Sequence, residues 1–207
     1  MNKFLMIMAL FSFLSVWNQA QAQTKFKTVN QAKGLSVGEV APKFNSSDQE
    51  NRSFNLENTL ESGPVVLIFY RGQWCPVCNK HLAAIEQDLD QIYAKGATVV
   101  AVSPETSEFL KQTMKKTGAS FKLLHDEDYG IAEAYDVAFL SDEASLNAYN
   151  ERLGANLQEA HSDDSQRLPI PATYIIGQDG IIKWRHFDPD YRKRASVEDI
   201  VAALSEL

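Results

Sequence analysis

At 207 residues, 44% hydrophobic and 10% aromatic, the chain is long enough to bury one ordinary core and needs no cross-links to fold. Its formal charge of −7 argues against nucleic acid as a partner. The densest basic cluster, Arg192-Lys193-Arg194, is short and flanked by Asp188, Asp190 and Glu198, so it reads as a solvated surface.

Residues 1–22 differ in kind from the rest. Lys3, the apolar run FLMIMALFSFLSVW and the small residues Ala20-Gln21-Ala22 have the layout of a secretory signal peptide. That run is short for a bilayer span, which takes about 20 residues. The mature chain is expected to begin near Gln23, to be exported to a periplasmic or extracellular location, and to carry no membrane span. Residues 23–36 are polar and read as a flexible lead-in to a single domain over 37–207.

VGEVAPKF and RSFNLENTL read as short strands and turns. Val65 to Tyr70 (VVLIFY) is a continuous apolar run opened by Gly63-Pro64, the signature of a strand buried on both faces. Arg71 to Trp74 form a turn. From Cys75 the period becomes helical through Cys78, Leu82, Ile85, Leu89 and Ile92, with Gly96 closing the helix. Ala97 to Val102 is a second buried strand. A helix over Thr106–Lys116 ends at Gly118, Phe121–Leu124 is a short strand, and Asp128–Tyr135 a short helix. Ser141 to Gln166 is polar with helical stretches and reads as an insertion. Thr173–Ile176 and Ile181–His186, joined by Gly177-Gln178-Asp179-Gly180, form a hairpin, and Ser196 caps a last helix. The order βαβα, hairpin, helix predicts a mixed central sheet covered by helices.

The chain's two cysteines, Cys75 and Cys78, fall three residues apart at the strand-to-helix junction. A redox dithiol, two metal ligands and a structural disulfide all fit a Cys-x-x-Cys. A bridge closing so small a loop restricts the unfolded chain little, which weakens the structural reading. Cys75 at a helix N-terminus meets unpaired N–H groups and the positive end of the dipole, which lower a thiol's pKa. Pro76 suits the first helical position, and Cys78 lies one turn on, within reach. For a metal site, Cys75, Cys78, His81 and His125 have ligand-like residue types, but no second cysteine pair exists and closed zinc sites draw four ligands. The acidic turns after His125 and His161 read as ordinary turns. Trp74 is expected beside the dithiol, and Arg71 as its electrostatic support. Ile170 and Pro171, before a strand, supply a turn that can face the dithiol if their bond is cis.

A Cys-x-x-Cys after a buried strand, with a proline before a later strand, resembles the thioredoxin fold. FYRGQWCPVCNKHL, VVAVSPE, LPIPATYIIGQDGIIKW and DPDYRKRASVEDIVAAL together resemble the AhpC/TSA peroxiredoxin-like family, from about Val37 to the C-terminus. The resemblance implies a three-layer α/β/α thioredoxin-like fold. It puts Cys78 at the family's peroxidatic position, Cys75 where the family has threonine, Arg71 where it has proline, and Pro171 where it has the arginine that helps hold a peroxide. Without that threonine and arginine, the oxyanion donors of an efficient peroxidase are missing.

The expectation is therefore a thiol–disulfide oxidoreductase of the cell envelope. Cys75 attacks a protein disulfide and Cys78 resolves it, with Trp74, Pro76, Ile170 and Pro171 meeting the substrate. A peroxidase with Cys78 attacking and Cys75 resolving, and a metal-binding module, are the alternatives. No cofactor or resident metal is expected. The partners are protein disulfides or a dithiol donor protein, and on the second reading a peroxide. The direction of electron flow is open.

Overall fold

A computed structural model describes residues 26–207. The signal peptide expected over 1–22 and the first part of the lead-in lie outside the described residues. Residues 26–35 lie against the domain rather than free of it. Leu140 N–H donates to the Lys27 carbonyl (2.8 Å), Gly34 N–H to that of Asp136 (3.0 Å), and Lys27 pairs with Asp136 (2.6 Å).

VGEVAPKF forms no strand, only an isolated bridge from Val40 to Ile181. Strand β1 (Asn45–Asp48) follows it, then β2 (Ser53–Asn55). The second half of RSFNLENTL is helical, because Asn55 accepts from Asn58 N–H (2.7 Å) and caps α1 (Leu56–Leu60). β3 (Val65–Phe69) is buried at every residue. Each such side chain removed from water stabilises the fold by about 1.5–3 kcal/mol.

The long helix expected after Cys75 is two helices, α2 (Pro76–Gln87) and α3 (Leu89–Tyr93). Asp88 between them leaves the helical region, and its carboxylate accepts from Gln91 Nε2 (2.9 Å), local bonding by which Asp competes with helix continuation. β4 (Thr98–Ser103), α4 (Ser107–Thr117) and β5 (Lys122–His125) follow as expected, with Gly118 at φ 75° ending α4. A 3₁₀ turn (Glu127–Tyr129) leads into α5 (Gly130–Ala134) and β6 (Ala138–Phe139). The insertion folds as α6 (Glu143–Leu153) and α7 (Leu157–Ala160). β7 (Leu168–Pro169), β8 (Ala172–Ile176), β9 (Ile182–Phe187) and α8 (Val197–Leu204) complete the chain. The Ser196 cap forms a full capping box with Asp199.

The main sheet runs β2-β1-β5-β4-β3-β8-β9. Its centre is parallel, β3 with β4 and β4 with β5, while β1 against β5, β8 against β3 and β9 against β8 are antiparallel. Helix α2 packs on α4, and α3 on α8. This is a thioredoxin-like α/β/α fold with a mixed sheet, and its central strand β3 ends next to the two cysteines. No helix among the described residues is long and apolar enough to cross a membrane.

Candidate functional site

The turn between β3 and α2 is fixed from both sides. Tyr70 N–H still donates to Val102 of β4 (3.0 Å), and Cys75 N–H closes the turn on the Gly72 carbonyl (3.1 Å). Gly72 sits at φ 150°, and a Cβ there would collide with the Glu105 carboxylate and stand 2.7 Å from Trp74 Nε1. Cys75 is the N-cap of α2, with Pro76 at the first helical position, as expected; Cys75 Sγ accepts the Cys78 N–H at 3.3 Å. The two cysteines form a disulfide across a Cα–Cα distance of 5.2 Å. Both are sealed, Cys75 at 0% exposure and Cys78 at 1%.

Two guanidinium groups reach the sulfurs. Arg71, 3% exposed, donates from Nη2 to Cys75 Sγ (3.3 Å) and from Nη1 to Tyr149 Oη (3.5 Å). Three rings surround it: Tyr191 at 4.0 Å, Trp74 at 5.0 Å and Tyr149 at 5.3 Å from its central carbon. Arg194 donates from Nη2 to Cys78 Sγ (3.5 Å). Burial depresses the Arg71 pKa; burial and the Arg71 charge bring that of Arg194 down to about 10, so both remain cations at neutral pH.

Arg194 corrects the reading of its cluster as solvated surface. Arg192 and Lys193 do face solvent and pair with Asp190 (3.4 Å) and Asp188 (2.9 Å), but Arg194 turns inward. The bend follows from local bonds: Asp190 N–H donates to Asp188 Oδ1 (2.8 Å) and Lys193 N–H to the Asp190 carbonyl (3.0 Å). The same loop brings Tyr191 over Arg71. Whatever Pro171 replaces, the pair has an arginine beside each sulfur. The signal in the sequence was the segment DPDYRKR, whose two aspartates bend the loop.

His81, one turn beyond Cys78, donates from Nε2 to the Ala195 carbonyl (3.0 Å); burial and the neighbouring Arg194 charge push its pKa down to about 4. His125 donates from Nδ1 to the Glu105 carbonyl (2.9 Å). The Cys75, Cys78, His81, His125 set therefore does not assemble, and among the described residues no group of three His, Cys, Asp or Glu is placed to hold a metal.

Sequence reading also missed Glu105 and Tyr149. Glu105, fully buried, accepts the Gln73 N–H on both oxygens (2.9 Å each), and burial pushes its pKa up to about 8. Lys116 reinforces the turn from the other side by donating to the Gln73 carbonyl (3.2 Å). Tyr149, on α6 of the insertion, lies against Trp74 with ring centres 5.0 Å apart. Through Tyr149 the insertion thus packs against the turn that carries the dithiol.

Ile170 and Pro171 are both buried, just before β8. The Ile170–Pro171 bond is trans, as are all peptide bonds among the described residues, so the cis turn facing the dithiol is not formed. Ile170 N–H donates to the Val137 carbonyl (2.8 Å). Both residues line a cavity of about 560 Å3 with Phe139, Arg71, Tyr149 and Tyr191. Through that cavity they share the surroundings of Arg71 and its rings.

A sealed Cys-x-x-Cys at a helix N-terminus, at the end of a central parallel strand, defines a thiol-redox protein of the thioredoxin fold. The AhpC/TSA family profile matches residues 37–185, and the chain belongs to that family. Among curated relatives, peroxiredoxin Bcp of Escherichia coli is 29% identical over 103 residues, half of this chain and 65% of that protein, so the match spans less than two thirds of its length. The chloroplastic peroxiredoxin Q of Sedum lineare is 27% identical over 149 residues, 72% of this chain and 67% of its own. Of solved structures, reduced Prx3 of Vibrio vulnificus in complex with H2O2 aligns with a TM-score of 0.65 at 19% identity, covering 82% of this chain and 99% of that one. The thioredoxin domain of a thiol-disulfide oxidoreductase from Bacteroides vulgatus aligns at 0.57 and 16% identity, covering 83% and 97%. At these identities the structures speak for the fold alone.

Proposed function

We propose that this chain is a thiol-dependent peroxidase whose chemistry is contained within one Cys-x-x-Cys, carried by the domain over 37–207 and acting outside the cytosol after loss of residues 1–22. The observation that carries the reading is Arg194 on Cys78, in a pair sealed from solvent. The sulfur at the family's peroxidatic position has an aimed cationic donor, supplied by a different part of the chain from the one expected. Sulfurs at 0% and 1% exposure are screened from a folded protein's disulfide, whereas a peroxide is small enough to enter on a modest side-chain movement, and the donor dithiol needs a larger opening. That observation weighs against protein disulfides as the first substrate.

The steps balance as follows. The Cys78 thiolate attacks the distal oxygen of the peroxide and its O–O bond breaks; with one proton taken up, the products are Cys78 sulfenic acid and an alcohol or water. The Cys75 thiol attacks that sulfur, water leaves, and the Cys75–Cys78 disulfide forms. A donor dithiol then supplies two electrons and becomes a disulfide itself. Arg194 stabilises negative charge at Cys78 during attack, and Arg71 does the same at Cys75.

Disulfide exchange is the second reading, favoured by Cys75 at the N-cap with Arg71 beside it. Single-cysteine variants separate the two. Under the proposal, Cys75→Ser treated with hydrogen peroxide accumulates a Cys78 sulfenic acid, trapped by dimedone and read by mass spectrometry, and wild type turns over peroxide with a dithiol. If Cys75→Ser gives no sulfenate while Cys78→Ser collects mixed disulfides through Cys75, exchange replaces peroxidase chemistry.

A further inference from the structure

The two guanidiniums at the sulfur pair have no anionic partner. Among the described residues the arginines in ion pairs are Arg52, Arg167 and Arg192. Arg71 and Arg194 reach the sulfurs, the Tyr149 hydroxyl and aromatic faces instead. Nε of Arg71, and Nε and Nη1 of Arg194, are buried without a hydrogen-bond acceptor. A buried cation lacking a counter-charge costs free energy. Here two of them converge on one disulfide, which is neutral and a weak acceptor.

Reduction changes that balance. The reduced pair can carry a negative charge on sulfur, between the two guanidiniums and at the positive end of α2. The arginines therefore interact more favourably with the reduced form than with the disulfide. The other groups facing the pair do not cancel this. On α2, His81 is neutral at pH 7 and donates to Ala195. From the β4–α4 junction Glu105 stays protonated up to about pH 8, and Lys116 beside Gln73 adds positive charge. In the C-terminal loop Asp190 attracts Arg194 but is paired with Arg192. Tyr149 and Tyr191 present their rings to Arg71.

We infer that the Cys75–Cys78 disulfide is an oxidising one, readily reduced by a dithiol donor, because Arg71 and Arg194 stabilise a thiolate in the reduced pair. This rests on the reading that the pair cycles between dithiol and disulfide. The donor dithiol gives up two electrons and two protons and closes its own disulfide. One proton remains on the pair as a thiol, the other goes to solvent, and the second sulfur stays as thiolate. Arg71 and Arg194 touch the reacting sulfurs and set the equilibrium of this step.

The test is the equilibrium of the purified chain with mixtures of reduced and oxidised glutathione between pH 6 and 7.5, read by alkylation and mass spectrometry. Reduction to one thiolate and one thiol releases one proton, so the equilibrium constant rises about tenfold per pH unit; reduction to two thiols leaves it flat. Arg194→Gln and Arg71→Gln each lower the constant at pH 7 about tenfold or more, and Arg194→Lys recovers most of the loss. A flat pH dependence in the wild type, or glutamine variants with an unchanged constant, overturns the inference; the wild-type slope decides it alone where a variant does not fold. A pair that equilibrates as described in a chain without peroxide turnover keeps this inference and sinks the function proposed above. Peroxide turnover with a flat equilibrium does the reverse.

Discussion

His81 Nε2 stands 3.0 Å from the carbonyl oxygen of Ala195, tying the helix that bears Cys78 to the residue after Arg194. The bond fixes the loop from which Arg194 reaches the sulfur, so His81 acts on the site through another residue. That bond favours the imidazolium, but partial burial and the neighbouring Arg194 cation outweigh it and keep the ring neutral at pH 7.

The pH consequence has a definite sign. A histidine titrates near 6.5 in an unfolded chain, and His81 is pushed to about 4 in the fold. Between those values the unfolded chain binds the extra proton, so stability falls as pH drops from about 6.5 towards 4. His161, also pushed to about 4, contributes with the same sign. His81→Ala is expected to lose about 1–3 kcal/mol at pH 7.5 by leaving the buried Ala195 carbonyl without its donor. It should also show a smaller stability difference between pH 7.5 and 4.5 than wild type. Urea unfolding at the two pH values checks both; an unaltered difference would count against the neutral, buried imidazole.

Glu105 gives the opposite slope. Its carboxyl is raised from 4.5 to about 8 by burial, so the folded chain holds a proton that the unfolded chain releases. Its contribution is fully present below about pH 4.5 and is lost as pH climbs to about 8. Glu105→Gln keeps an acceptor for the Gln73 N–H and cannot ionise. The variant should match wild type near pH 5 and exceed it by about 1 kcal/mol or more at pH 8, where charging a buried carboxylate is costly. Chemical denaturation across that range is the measurement, and a variant that loses the same stability as wild type between pH 5 and 8 would refute the assignment.

Tyr149, on α6, packs its ring on Trp74 at a tilt of 33° and bonds Arg71 beside the pair. Tyr149→Ala removes a ring contact worth about 0.5–1.5 kcal/mol beyond its buried area. It should change tryptophan fluorescence and open the disulfide to bulky reductants. A protein dithiol should reduce the variant roughly tenfold faster than wild type, while a small reductant such as dithiothreitol gains much less. Equal gains for both reductants, or none for either, would show that α6 is not the barrier.

Much of the fold was legible because it follows from local rules. The apolar run at Val65–Phe69, the period change at Cys75, Pro76 at the first helical position, the Asp-Gly hairpin and the Ser196 cap each depend on residues within a few positions of one another. Where local reading failed, a side chain with two outlets took the other one: Asn55 capped a helix, and Asp88 broke one. At the site, Cys75, Cys78, Arg71 and Trp74 were legible because they occupy one turn. Arg194, Tyr191, Tyr149, His81's partner and Glu105 were not, because each is brought in from a separate element.

The sequence by itself determined the two sulfurs and their seat: spacing, capping and proline placement act over a single helical turn and need no tertiary partner. Only the tertiary structure decided what surrounds them. Arg194 reads as one more surface cation beside Arg192 and Lys193 until the chain's bend after Asp188 turns it onto Cys78, 116 residues away. Charge near a thiol depends on distance through the fold, and distance along the chain does not report it.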